Sequence, residues 1–135
     1  MTKIFLLDDH PLMRAGIQSI LEEEGDLLVV GESGDGKEML QRLREVAVDV
    51  LVLDLRMPNM DGFEVLHRLK ELRPELPVLI LTSCAEESMA YRCLRAGASG
   101  YLVKDMVPEE LVKAVRTVRH GRRYLSSEMA AKMAC

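Results

Sequence analysis

Short unbroken apolar runs alternate along the chain with segments that are apolar on one helical face only. The runs are Ile4–Leu7, Leu27–Val30, Val50–Leu53 and Val78–Leu81, with a weaker fifth at Tyr101–Val103. Each has strand length and each is bounded by Gly, Pro or Asp. Continuous runs suit strands buried on both faces of a parallel sheet better than alternating ones do. Between them, Pro11–Glu24 sets Leu12, Ala15, Ile17, Ile20 and Leu21 at helical spacing, with Pro11 suited to a first turn. Gly36–Val46 carries Met39, Leu40 and Leu43 behind Asp35, a capping residue. Gly62–Leu72 carries Val65, Leu66, Leu69 and Leu72 behind Asp61. Glu86–Ala96 stops at Gly97, and Pro108–His120, with Leu111, Val112, Val115 and Val118 on one face, stops at Gly121. Five βα units in series predict a doubly wound α/β fold with helices on both faces of a five-stranded parallel sheet. Beyond Tyr124-Leu125, Ser126 is placed to cap a short C-terminal helix holding Met129, Ala130 and Met133.

Composition narrows the class. The chain has 135 residues, 48% hydrophobic and 30% charged, an ordinary globular balance. One domain of this size buries roughly two-thirds of its unfolded surface, enough for a true core. No apolar run approaches the ~18 residues of a membrane span. The four apolar residues after Lys3 fall short of the roughly 7–15 of a secretory signal. Three cysteines, Cys84, Cys93 and Cys135, fit no metal spacing, and a reducing cytoplasm is the expected location. The net charge is −4, which speaks against a nucleic-acid binder. It is unevenly spread. From Lys104 onward seven basic residues face four acidic ones, while the remainder has 11 basic against 18 acidic. Arg116, Arg119, Arg122 and Arg123 form a basic cluster, which reads either as a solvated face or as a partner contact, but has too little basic surface and no aromatic interleaving for DNA.

In open α/β sheets ligands bind beyond the carboxyl ends of the strands. Asp8 and Asp9 follow the first strand, Asp54 ends the third, Thr82 and Ser83 end the fourth, and Lys104 ends the fifth. In a flavodoxin-like strand order 2-1-3-4-5, these groups converge on one pocket. Three carboxylates repel one another and stay ionised together only beside a cation. Lys104 supplies one positive charge, and a hard divalent ion such as Mg²⁺ would supply the rest while keeping sites for water and phosphate oxygens. A carboxylate beside such a cation and a fixed ammonium is arranged to attack phosphorus and become an acyl phosphate. Asp54, on the central strand, is the nucleophile candidate. Asp8 and Asp9 are the candidate metal ligands, and the Thr82 hydroxyl can bond a phosphoryl oxygen.

At these residues the chain resembles the receiver domain of two-component response regulators. The resemblance rests on Leu6-Leu7-Asp8-Asp9-His10-Pro11-Leu12, on Asp54-Leu55-Arg56-Met57-Pro58-Asn59-Met60-Asp61-Gly62, on Leu81-Thr82-Ser83, on the stretch from Ala96 to Lys104, and on Gly121-Arg122-Arg123-Tyr124-Leu125-Ser126. The Asp-Asp-His-Pro opening, Lys104-Asp105 and the Tyr-Leu-Ser tail are similar to the NarL/FixJ subfamily, whose members carry a helix-turn-helix DNA-binding domain after the receiver. The resemblance implies a receiver over residues 1–121 and a linker over 122–135. The chain is then expected to be an excised receiver lacking its output domain, through which alone it would reach DNA. It further implies that Asp54 accepts phosphate from a sensor histidine kinase. Asp9, Asp54 and the main-chain carbonyl of Arg56 would bind Mg²⁺, with Asp8 nearby through water. Lys104 would contact the phosphoryl group, Thr82 would move toward it, and Tyr101 would swing between outward and inward positions. Homodimerisation on phosphorylation, through surfaces on helices 4 and 5 with strand 5 or on helices 1 and 5, is the implied partner change.

Three residues depart from the resemblance or flank it. Asp105 stands where many receivers have proline, so the loop after Lys104 need not hold a cis peptide. Arg56 and Cys84, each two residues past Asp54 and Thr82, flank the attack path and are expected to tune dephosphorylation. Three other functions compete. A haloacid-dehalogenase-type phosphohydrolase needs a second aspartate two residues after its nucleophile, where this chain has Arg56. A nucleotide or flavin module wants glycines after the first strand, where this chain has Asp8-Asp9-His10-Pro11. A phosphorylation-independent pseudo-receiver scaffold would not need the intact acidic set. His10, His67 and His120 share no motif and read as neither ligands nor phosphodonors, with His10 placed at the pocket rim. Cys84 and the nine methionines read as packing residues.

Overall fold

The apolar runs become strands because only a sheet covered on both sides removes every residue of such a run from water. The computed structural model describes residues 1–57 and 60–133. Its strands are β1 (Thr2–Leu7), β2 (Leu27–Ser33), β3 (Val50–Asp54), β4 (Val78–Thr82), β5 (Gly100–Val103) and β6 (Tyr124–Leu125). Its helices are α1 (Pro11–Glu22), α2 (Gly36–Arg42), α3 (Gly62–Leu72), α4 (Glu87–Arg95), α5 (Val107–Arg119) and α6 (Ser127–Met133). A 3₁₀ turn, Lys104–Met106, links β5 to α5. A two-residue antiparallel pairing of Arg56–Met57 with Met60–Asp61 closes the loop after β3. Pro58 and Asn59 of the quoted motif, and Cys135, lie outside the described residues.

The sheet order is β2-β1-β3-β4-β5-β6, all parallel. This is the expected flavodoxin-like order with one strand added at the far edge. β6 was not expected because two residues carry no periodicity. It forms because Gly100 lets the chain come close: a Cβ there would stand 3.2 Å from the Tyr124 Cβ. Successive strand residues point to opposite faces. Phe5, Leu7, Leu51, Leu53, Val78, Ile80 and Tyr101 meet α2, α3 and α4 on one side. Ile4, Leu6, Val50, Val52, Leu79, Leu81 and Leu102 meet α1 and α5 on the other.

The caps read from sequence are in place. The Asp35 carboxylate accepts from Lys37 N–H at 2.9 Å, and Asp61 from Phe63 N–H at 2.9 Å. Gly97 and Gly121 end α4 and α5 with φ of +108° and +81°. Two helices are shorter than expected. α1 ends at Glu22, ahead of a turn through Gly25 at φ +56°. α2 ends at Arg42, beyond which the last turns to Val46 loosen. There the Arg42 guanidinium donates to the Glu32 carbonyl at 2.7 Å and lies 5.1 Å from the Phe5 ring centre, which fixes this corner to the sheet edge. α6 follows Ser126 as expected. The Ser126 hydroxyl accepts from Met129 N–H at 3.4 Å, and the Met129 side chain is buried in the core on the α2–α4 side. No helix among the described residues is long and apolar enough to cross a membrane.

Candidate functional site

Parallel pairing sets the strand ends level, and with them the polar residues that follow each apolar run. β1 and β3 run in register with Leu7 opposite Leu53, so Asp8 and Asp54 emerge side by side. β4 and β5 pair Thr82 with Val103, which places Lys104 next in line. Asp8 and Asp54 are each only 2% exposed. The Lys104 Nζ lies 3.0 Å from Asp54 Oδ2 and 3.7 Å from Asp8 Oδ2. Asp54 Oδ1 accepts from the Arg56 N–H at 3.0 Å, so the main chain of Arg56 borders the pocket. Asp8 Oδ1 accepts from the His10 N–H at 2.8 Å, and the Arg14 guanidinium donates to the Asp8 carbonyl. Burial pushes the Asp54 carboxyl above the usual carboxylate range. The Lys104 ammonium and the Arg56 N–H pull it back part of the way, and the neighbouring Asp8 charge adds to the rise.

The acidic residues therefore meet as expected, and the donor set fits a hard divalent cation. Asp8 Oδ2 and Asp9 Oδ1 are buried without a hydrogen-bond partner among the described residues, a costly state for a carboxylate oxygen. Asp9 Oδ1 does stand 2.9 Å from His10 Nδ1, but that contact is not directed as a hydrogen bond. One donor atom each from Asp8, Asp9, His10 and Asp54 lies within 4.8 Å of all the others. One ammonium cannot balance three carboxylates, and a cation among them satisfies both orphaned oxygens. His10 lies at the pocket rim, where the sequence reading placed it, with its ring 66% exposed. Its imidazole Nδ1 folds back to 3.2 Å from Asp8 Oδ1 and joins the cluster. Residue type and position alone give no sign of this fold-back.

Thr82 and Tyr101 are joined through the backbone of Cys84. The Cys84 N–H donates to Thr82 Oγ1 at 3.2 Å, and the Cys84 carbonyl accepts from the Tyr101 hydroxyl at 2.6 Å. The Tyr101 ring is fully buried, and burial raises the phenol above its ordinary range, so it is a proton donor here. Main-chain atoms carry this link, which is why side-chain patterns do not reveal it. Cys84 itself is half-buried, and burial pushes the Cys93 thiol up to about 11. The basic cluster has partners within the chain. Arg116 bonds Asp26 at 2.8 Å and Glu24 at 3.2 Å, and Arg119 lies 3.7 Å from Asp49.

An acidic, lysine-bearing pocket at the carboxyl edge of an open parallel sheet stands where such folds bind their ligands. Residues 4–116 match the response regulator receiver domain, and the chain belongs to that family. It is thus a phosphorylation-based signalling domain rather than a metabolic enzyme. Over 134 residues it is 38% identical to the response regulator UvrY of Escherichia coli strain K12, covering 99% of this chain and 62% of UvrY. The chain thus spans less than two-thirds of that relative's length. Among solved structures it is similar to a LuxR-family two-component response regulator from Aurantimonas sp. SI85-9A1. That likeness has a TM-score of 0.93 at 34% identity and covers 99% of this chain and 96% of the other. It is also similar to a structure of two RcsB dimers bound to two parallel DNAs, with TM-score 0.89 and 26% identity over 96% of this chain and 66% of that one.

Proposed function

We propose that Asp54 receives a phosphoryl group from the phosphohistidine of a sensor kinase, and that the resulting acyl phosphate resets the surface around α4, β5 and α5. The observation that carries this reading is the buried Asp54–Lys104 pair at 3.0 Å within a cluster of further carboxylates. In the transfer an Asp54 oxygen forms the new O–P bond while the P–N bond to the kinase imidazole breaks, and the released imidazole takes up a proton. Lys104 neutralises the incoming oxygens from one side. Asp8, Asp9, Asp54 and the main-chain carbonyl of Arg56 would hold Mg²⁺, which when bound supplies further charge neutralisation of the phosphoryl oxygens. Thr82 gives up the Cys84 N–H to bond a phosphoryl oxygen. That loosens the Cys84 carbonyl to which the Tyr101 hydroxyl is tied, and the switch reads out through the ring of Tyr101.

Residues 1–121 act as the receiver and 122–135 as the segment leading to an output domain. The output is a helix-turn-helix domain that alone contacts DNA, and phosphorylation favours a homodimer. The DNA-bound dimers of the similar RcsB agree with such an output. The location is the cytoplasm, where a sensor kinase presents its phosphohistidine. Acetyl phosphate with Mg²⁺ is expected to add one phosphoryl mass to the wild-type chain. It should add none to Asp54→Asn, and little without the metal. Equal labelling of Asp54→Asn and wild type would overturn the assignment.

A further inference from the structure

We propose that Arg14 of α1 is a positioning residue for the pocket. Its guanidinium holds the Asp8–Asp9 peptide so that both carboxylates face the cation, and the affinity for that cation, rather than the rate of phosphoryl transfer, depends on it. The inference rests on the cation pocket of the proposed function and concerns a side chain outside the acidic set. Asp54 and Asp8 are each aimed by a main-chain N–H, from Arg56 at 3.0 Å and from His10 at 2.8 Å. Asp9 Oδ1 has no hydrogen-bond partner among the described residues. The His10 ring, 2.9 Å from it, is 66% exposed and gives no rigid support. The direction of the Asp9 side chain is therefore set by its main chain. Because a peptide unit is planar, fixing the Asp8 carbonyl fixes the N–H and Cα of Asp9 with it.

Two elements grip that peptide. From α1, Arg14 Nη1 donates to the Asp8 carbonyl, and Arg14 Nε donates to Glu32 Oε1 at 3.3 Å. Glu32 lies near the end of β2, so one guanidinium ties loop, helix and edge strand together. The first turn of α1 places Arg14 for this, with its N–H donating to the His10 carbonyl at 3.0 Å. From β2, the Ser33 carbonyl accepts from the Asp8 N–H at 3.0 Å. Gly34 then lies against the loop: a Cβ on it would stand 3.2 Å from Arg14 Nη1 and 3.4 Å from the Asp9 Cα. The Arg14 side chain is only 17% exposed, which separates this tie from an ordinary surface ion pair. Charge and geometry make opposite demands here. A guanidinium beside the pocket repels a second cation, so by charge alone its removal strengthens metal binding. A guanidinium that aims the ligands has the opposite effect, and its removal weakens binding. A lysine keeps the charge but lacks the planar fork that reaches Asp8 and Glu32 together.

The test titrates Mg²⁺ into the whole chain by calorimetry at neutral pH, then follows labelling by acetyl phosphate over the same range of Mg²⁺. Arg14→Ala is expected to weaken Mg²⁺ about tenfold, as loss of a residue supporting metal ligands does. The Mg²⁺ concentration for half-maximal labelling should rise in step, while the labelling rate at saturating Mg²⁺ stays within about twofold of wild type. Arg14→Lys, which keeps length and charge and so protects the fold, should also weaken Mg²⁺ severalfold, because an ammonium on Asp8 is no longer braced by Glu32. Hydrogen exchange reads the same tie without metal: the Asp8 and His10 amides should exchange faster in both variants than in wild type. Mg²⁺ bound as tightly as in wild type, or more tightly, by either variant overturns the inference and leaves the pocket intact, since charge or a single tether would then suffice. So does an unchanged affinity with a lower labelling rate at saturation, because Arg14 would then act on the transfer itself. Wild type that binds no Mg²⁺ overturns the cation pocket, and the role of Arg14 with it.

Discussion

Burying the Asp54 carboxylate costs hydration, and the ammonium of Lys104 at 3.0 Å offsets only part of that cost. The folded carboxyl therefore titrates above its ordinary value of 3.8. Below that value the group is protonated in both folded and unfolded chains and contributes nothing to the difference between them. As pH rises through 3.8 and past the folded value, the unfolded chain releases the proton first, and stability is lost. Asp54→Asn removes this penalty. In the metal-free protein its thermal stability relative to wild type should therefore be greater at pH 7 than at pH 4. A difference that does not change with pH would contradict a strained carboxylate. At this scale much of the site was legible. Asp8, Asp54, Thr82 and Lys104 each interrupt an apolar run at one edge of the sheet, and parallel pairing then brings them together. The fold-back of His10 and the Thr82–Cys84–Tyr101 link were not legible. The first depends on a ring torsion and the second on main-chain atoms.

The loop after β3 is held against α3 by one close crossing. Gly62 begins α3 directly behind its Asp61 cap, and a Cβ on it would stand 2.5 Å from the Leu55 carbonyl oxygen. Leu55 follows Asp54, so a methyl group there presses on the segment that aims the carboxylate. Gly62→Ala is expected to cost about 1–3 kcal/mol, as overpacking against backbone does. Chemical denaturation measures this, and a midpoint equal to wild type would show that the crossing is loose. The Met-Asp-Gly spelling announces a cap and a helix start, but the need for glycine comes from a contact seven residues away. Other elements divide in the same manner. β3 and β4 were plain because every one of their residues is buried. The end of α2 was misplaced because Leu43 and Val46 keep the apolar spacing while the chain already turns back toward β3. β6 is too short to announce itself.

The segment from Tyr124 to Met133 is docked on the receiver rather than trailing from it. Tyr124 extends the sheet beside Gly100, its hydroxyl donates to Glu110 of α5, and Met129 is 2% exposed. Fully burying a large apolar side chain contributes about 1.5–3 kcal/mol. Deleting residues 122–135 removes two such side chains and uncovers the β5 edge, so the urea midpoint is expected to fall by the equivalent of about 3 kcal/mol. An unchanged midpoint would mean that the segment is not docked in solution. The whole molecule then reads as a sheet with a charged pocket at one edge and a packed surface beside it, joined through Thr82, Cys84 and Tyr101. The pocket is expected to make one acyl phosphate at one aspartate. Borohydride reduction after treatment with acetyl phosphate and Mg²⁺ converts a phosphorylated aspartate to homoserine, and peptide mapping locates it. Homoserine is expected at position 54 and at neither Asp8 nor Asp9; homoserine at another aspartate, or none at all, would contradict the account.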